Sequence, residues 1–133
     1  MANTTFTGPV RSQNGFQSIT RSATTGADTV DAVYGKTTVL SVQSLSGAGA
    51  VDVTNTMTSL TTTGASQALT LANGTAGQMK IITHTVDGGS AILTPTTKIG
   101  FSTITFTNVG DSVTLVYTAA GWAVVGSKGV TIA

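Results

Sequence analysis

The chain contains no cysteine and no glutamate, one histidine, two prolines and one tryptophan. Without Cys there is no disulfide framework, no zinc–thiolate site and no thiol nucleophile, and folding does not require an oxidising compartment. All five acids are aspartates, Asp28, Asp31, Asp52, Asp87 and Asp111. Only 8% of residues are charged, against about 25% in ordinary soluble proteins. The six basic residues are spread from Arg11 to Lys128 and form no stripe, so nucleic acid is not an expected partner. Met1 to Thr5 is polar rather than basic and then apolar. No apolar run approaches the roughly 18 residues of a membrane span, so a membrane is not an expected partner either.

Thr, Ser, Gly and Ala stand where the charges would be. Leu, Ile, Val and Phe together fill 32 of 133 positions, above the ~20% level below which disorder is the default. The length suits one domain. Thr favours a pleated strand, and the Ala-, Glu- and Lys-rich faces of helices are missing. The composition predicts an all-β protein. A lone domain guards its surface and strand edges with charge, so a surface this poor in charge predicts cover by other subunits.

Residues 1–35 carry scattered apolar side chains (Phe6, Val10, Phe16, Ile19, Val30, Val33, Tyr34) with neither a helical nor a sustained two-residue period. Gly8-Pro9 and Asn14-Gly15 mark turns. This segment is expected to be an extended N-terminal arm, with Phe6, Pro9, Val10, Arg11 and Phe16 as anchors on a neighbouring subunit. Residues 36–133 are the expected domain. Strand candidates are Thr37–Gln43, Ala50–Thr56, Ala68–Ala72, Met79–Val86, Ser90–Thr94, Thr103–Thr107, Ser112–Thr118 and Trp122–Gly126. Thr58 to Ser66 fits either an exposed strand or a loop. Asp87-Gly88-Gly89 between two apolar runs predicts a hairpin, as does Ala119-Ala120-Gly121. No segment joins a helical period to helix caps. The expected architecture is an antiparallel β-sandwich of jelly-roll-like form, preceded by the arm.

Catalytic patterns are missing. His84 alternates along Lys80 to Thr85, which puts it on a strand face with Ile82 and Lys80 as a structural residue. No nucleophile elbow surrounds any Ser. Gly110-Asp111-Ser112-Val113 lies where a turn enters a strand, and the aspartates fall mostly in turns, where Asp caps backbone. Asp28 with Asp31 is the nearest acid pair for a metal, and Gly47-Ala48-Gly49 lacks the Lys of a phosphate loop. No enzyme activity, cofactor or metal is expected.

Two segments resemble known proteins. Thr4-Thr5-Phe6-Thr7-Gly8-Pro9-Val10-Arg11-Ser12-Gln13-Asn14-Gly15-Phe16 is similar to the start of many small tailed-phage structural proteins. Residues 67–126 resemble a recurring phage β-module. The motifs are Leu69-Thr70-Leu71, Asn73-Gly74, Gly77-Gln78, Asp87-Gly88-Gly89, Leu93-Thr94-Pro95, Thr103-Ile104-Thr105-Phe106, Gly110-Asp111-Ser112-Val113-Thr114-Leu115 and Gly121-Trp122. The resemblance implies a capsid decoration (cement) protein on the outside of the virion, assembled in the host cytoplasm. Its implied partners are the major capsid protein and its own copies, as a homotrimer. A receptor-binding tail fibre or spike module is the alternative, and the absence of a long fibrous repeat favours decoration.

Overall fold

The computed structural model describes residues 16–22, 24–26, 28–34 and 39–133. The chain divides into two compact units, 1–40 and 41–133.

In the first unit, β1 (Phe16–Arg21) pairs antiparallel with β2 (Asp28–Tyr34), Phe16 facing Tyr34 in register and Arg21 facing Asp28. Where the sequence predicts only extended chain, β1 and β2 therefore form an antiparallel strand pair. The turn explains it. Gly26 takes φ +69° and donates its N–H to the Ser22 carbonyl at 2.9 Å. The ladder also shifts register between Ser18 and Ile19, and such a shift hides a two-residue period from the sequence.

The second unit is all-β. Its strands are β3 (Val42–Ser46), β4 (Gly49–Val51), β5 (Met57–Thr61), β6 (Gln67–Leu71), β7 (Met79–Val86), β8 (Ala91–Pro95), β9 (Ile104–Phe106), β10 (Ser112–Thr118), β11 (Gly121–Lys128) and β12 (Thr131–Ile132). They form two five-stranded sheets, ordered β11-β10-β7-β5-β3 and β12-β9-β8-β6-β4. Leu60, Ile82, Val113, Leu115 and Trp122 from the first sheet meet Val51, Leu69, Leu71, Leu93, Ile104 and Phe106 from the second in one core. This is the expected β-sandwich.

Its winding is not the expected one. The chain alternates between sheets from β3 to β8, and the pairs β3/β5, β5/β7, β4/β6 and β6/β8 are parallel. Val42, Met57 and Ile81 stack in register on one side, and Gly49, Leu69 and Leu93 on the other. Three arches lie on one another like rungs. Backbone bonds continue round the bends, from Gly47 N–H to Thr61 O, Thr62 N–H to Val86 O and Gln67 N–H to Ser90 O, each 2.9 Å. The antiparallel, jelly-roll-like pairing is thus corrected to mixed sheets. Antiparallel strands, β9, β10, β11 and β12, complete the far end.

The Asp87–Gly89 hairpin is corrected too. β7 and β8 belong to different sheets, so this bend is an arch. Gly89 has φ +140°, and a Cβ there would sit 2.5 Å from the Gly64 carbonyl carbon. The bend therefore stacks on the one beneath it while its two strands diverge. Ile82 and His84 face inward from one sheet, and Ala91 and Leu93 from the other. The Ala119–Gly121 hairpin is as expected, with Thr118 opposite Gly121.

Candidate functional site

Of the expected arm anchors, Phe6, Pro9, Val10 and Arg11 lie outside the described residues. Phe16 opens β1.

Inside the sandwich, the period-two pattern of β7 puts Lys80, Ile82 and His84 on one inward face, all fully buried. The sequence places these three together. Each polar member carries its own network.

Thr62, in the bend after β5, has a single hydroxyl proton, which it donates to Gly89 O at 2.9 Å. Its oxygen must then accept from Gly88 N–H at 2.8 Å and from His84 Nε2 at 3.0 Å. Nε2 is then a ring nitrogen that carries a hydrogen. Nδ1 is buried without a hydrogen-bond partner. Around its backbone, His84 N–H donates to Asp111 O, and His84 O accepts from Gly110 N–H, both at 2.8 Å. The Asp111 carboxylate accepts from Thr107 N–H at 2.8 Å and Asn108 N–H at 2.9 Å. Burial raises the Asp111 pKa. These bonds, the Thr107 hydroxyl and the nearby imidazole outweigh it and hold the group below its ordinary 3.8.

The second network surrounds Lys80. Its Nζ donates to the main-chain oxygens of Asp52 and Asn55, each at 2.7 Å, in the loop between β4 and β5. Asp52 in turn accepts from Thr54 N–H and Thr54 Oγ1, both at 2.8 Å, and from Asn55 Nδ2 at 2.7 Å. Bonds from Thr54 are the largest influence holding the Asp52 carboxyl below 3.8. Gln43 Oε1 accepts from Asp52 N–H and the Thr58 hydroxyl at 2.8 and 2.9 Å. Gln78 Nε2 donates to Val53 O. Burial pushes the Lys80 ammonium down to about 8, against the pull of the Asp52 carboxylate. The sequence pattern shares a face between Lys80 and Ile82 but does not say that face is interior. A basic residue one step from a buried Ile in period two is the signal that could have found it.

Among the described residues, no three side chains of His, Cys, Asp or Glu come together in a way that could hold a metal ion. No described Ser or Thr other than Thr62 bonds His84, and Thr62 spends its proton on Gly89.

The outer faces contrast with this interior. On the first sheet the outward rows are Met79 and Val116; Val42, Met57, Ile81 and Thr114; and Ser44, Ser59, Thr83, Ser112 and Lys128. Val42 is 52% exposed and Met79 47%. On the second sheet they are Ala50, Thr70 and Thr94, beside Ala68, Ile92, Thr105 and Thr131. Lys128, on an edge strand, is the sole ionic side chain of these rows.

Comparison with known protein families and with curated proteins finds no match to this chain.

Proposed function

We propose that the chain is a non-enzymatic structural subunit of a tailed-phage virion. In this reading it is a head decoration protein that binds the outer surface of the major capsid protein shell as a homotrimer and stabilises it. The observation that carries the assembly role is the pair of outer sheet faces. They bear apolar and hydroxyl side chains and almost no charge, with large apolar side chains such as Val42 and Met79 exposed. A face of that kind loses little by desolvation when another protein covers it. The phage context rests on the resemblance of residues 4–16 and 67–126.

The mechanism is additive burial. Each copy covers a junction of the shell, and trimerisation raises the effective concentration of weak sites. At ~25 cal/mol per Å2 of apolar area, burying even about 800 Å2 has a gross value of ~20 kcal/mol, much of it cancelled by the costs of association. With few charges involved, attachment tolerates salt. The test adds purified protein to undecorated capsids at low and high salt and counts bound copies. Binding in fixed proportion to the major capsid protein, and unchanged between salts, supports the reading. Collapse at high salt or absence of binding refutes it.

The stacked winding of β3 to β8 favours a second reading, a receptor-binding tail fibre or spike module, because rungs of this kind also build elongated shafts. A copy number of a few to a few dozen per virion, against hundreds for decoration, decides for it.

A further inference from the structure

The sandwich ends in the edge strands β3 and β4 on one side and β11 and β12 on the other. An unpaired edge offers itself to another strand, and proteins guard it by brevity, bulges or charge. β12 has two residues. β11 carries Lys128, and its ladder with β10 shifts register between Thr114 and Leu115. β4 is capped from within the chain. The Gln43 carboxamide donates to Ala50 O at 3.0 Å and accepts from Asp52 N–H at 2.8 Å, the pattern that a residue of a parallel neighbouring strand would make. β3 has none of these guards. It is uncharged, without proline, and in unbroken register with β5.

Met57 N–H donates to Ser41 O, and Gly47 N–H to Thr61 O. The odd-numbered residues from 41 to 47 therefore turn their main-chain groups towards β5. By the alternation of a parallel ladder, Val42, Ser44 and Ser46 turn theirs away, where no described strand meets them. The core is unfinished at the same edge. Leu60 is fully buried, but Leu45, beside it in register, is only partly buried.

We propose that β3 pairs antiparallel with β3 of a second copy, about a two-fold axis at Ser44. Ser44 then faces the partner's Ser44, and Val42 faces the partner's Ser46. In this register every outward N–H and C=O of the two strands is used, because the outward residues are symmetric about Ser44. A second copy fits on charge as well, since neither strand brings a charge against the other. It also fits on geometry, since β3 is the unguarded edge of the described sandwich and its complement is itself. The first sheet continues into that of the second copy and both open edges close, so growth stops at the pair. This two-fold contact goes beyond the virion role proposed above and does not rest on it.

The test is the mass of the full-length chain in solution by sedimentation, with folding followed by thermal melts. Wild type is expected at an even number of copies. Ser44→Pro removes an outward N–H that bonds nothing within the copy, a place where an edge strand tolerates proline, and should halve that mass. Ser44→Lys and Ser44→Asp should each halve it too, because the axis sets like charges opposite one another, about 5.5 Å apart between Cα atoms. Their equimolar mixture should regain the wild-type mass, since Lys then faces Asp, whereas damage to folding is not repaired by mixing. Wild type at an odd number of copies overturns the pairing, as do variants that all keep the wild-type mass or a mixture that stays at half. So does an unpaired wild type that loses capsid binding on Ser44→Pro, which assigns the edge to a strand of the shell. Capsid binding by the wild type reads a different contact, so either proposal can fail alone.

Discussion

The indole N–H of Trp122 donates to the carbonyl of Ala72, 2.8 Å away and 50 residues earlier in the chain. The same residue is gripped on its main chain, with Trp122 N–H on Thr97 O and Ile99 N–H on Trp122 O, both at 2.9 Å. Tyr117 meets its ring edge-on at a centroid distance of 5.1 Å. Trp122, fully buried, therefore fastens β11 of one sheet to the segments after β6 and β8 of the other.

Trp122→Phe keeps the aromatic contact and loses the indole donor. The expected cost is about 1 kcal/mol, read as a lower urea midpoint at unchanged slope. Trp122→Ala empties the site and should cost about 3–5 kcal/mol. Equal costs for the two variants would mean that the Ala72 bond, rather than packing, carries the contribution of Trp122.

Gly89 and Gly100 separate crowding from backbone strain. Both have positive φ, +140° and +78°, but an added Cβ meets the Gly64 carbonyl carbon at 2.5 Å in the first case and nothing within 4 Å in the second. Gly100→Ala should cost about 1–2 kcal/mol, the price of a left-handed alanine. Gly89→Ala should cost more, because the stacked arches must also part. Thermal melts of the two variants give the order directly, and equal shifts would contradict the stacking.

That arch is also where the sequence misled. Asp87-Gly88-Gly89 between two alternating runs has every local mark of a hairpin, and local marks cannot say whether the flanking strands return to one sheet. The decision is made by the bend beneath, around Thr62 and Gly64, which is distant in sequence. β5 was half-legible for a related reason. Thr58 is buried at a position where the pattern reads a polar residue, so Met57–Thr61 shows no clean alternation although it lies between β3 and β7. The strands β10 and β11 are legible because Val113, Leu115 and Tyr117 share one face in period two and the Gly-containing turn Ala119-Ala120-Gly121 leads straight into Trp122, while β7 is legible as a β-branched run bounded by Gly77 and Asp87-Gly88. The Lys80 and His84 networks were visible as a shared face, and their partners Asn55 and Thr62 were not, since only the parallel winding brings those loops beside β7.

Asp111 makes stability fall in acid. Its folded pKa lies below the ordinary 3.8, so its contribution is fully present above that value and is lost as pH falls through the folded one. Melting temperature should drop as pH falls below about 4, and Asp111→Ala should melt lower at pH 6 with a shallower drop in acid. An identical acid profile in the variant would assign the loss to other carboxyls.

Lys80 also makes stability rise with pH, in an alkaline window. Its folded pKa of about 8 lies below the ordinary 10.5. Between these values the unfolded chain binds the extra proton, so stability rises with pH across the window. Urea midpoints should increase from pH 8 towards 10.5, and Lys80→Met should abolish the increase.

The outer face of the first sheet offers a test of assembly that leaves the core alone. Val42 and Met79 project outward, about half exposed, on the edge strand β3 and the central strand β7. A lysine at either position keeps its ammonium in water while the protomer is free, so folding stability should move by no more than about 0.5 kcal/mol. In an assembly that covers this face, the same ammonium must be desolvated without a partner, and such a charge costs several kcal/mol. Val42→Lys and Met79→Lys should therefore melt like the parent while losing self-association in sedimentation and capsid binding. Met79→Leu, apolar and of similar volume, should keep both. If the lysine variants assemble normally, this face stays open to solvent in the assembly, and the contact must be sought on the Thr-rich face of the second sheet.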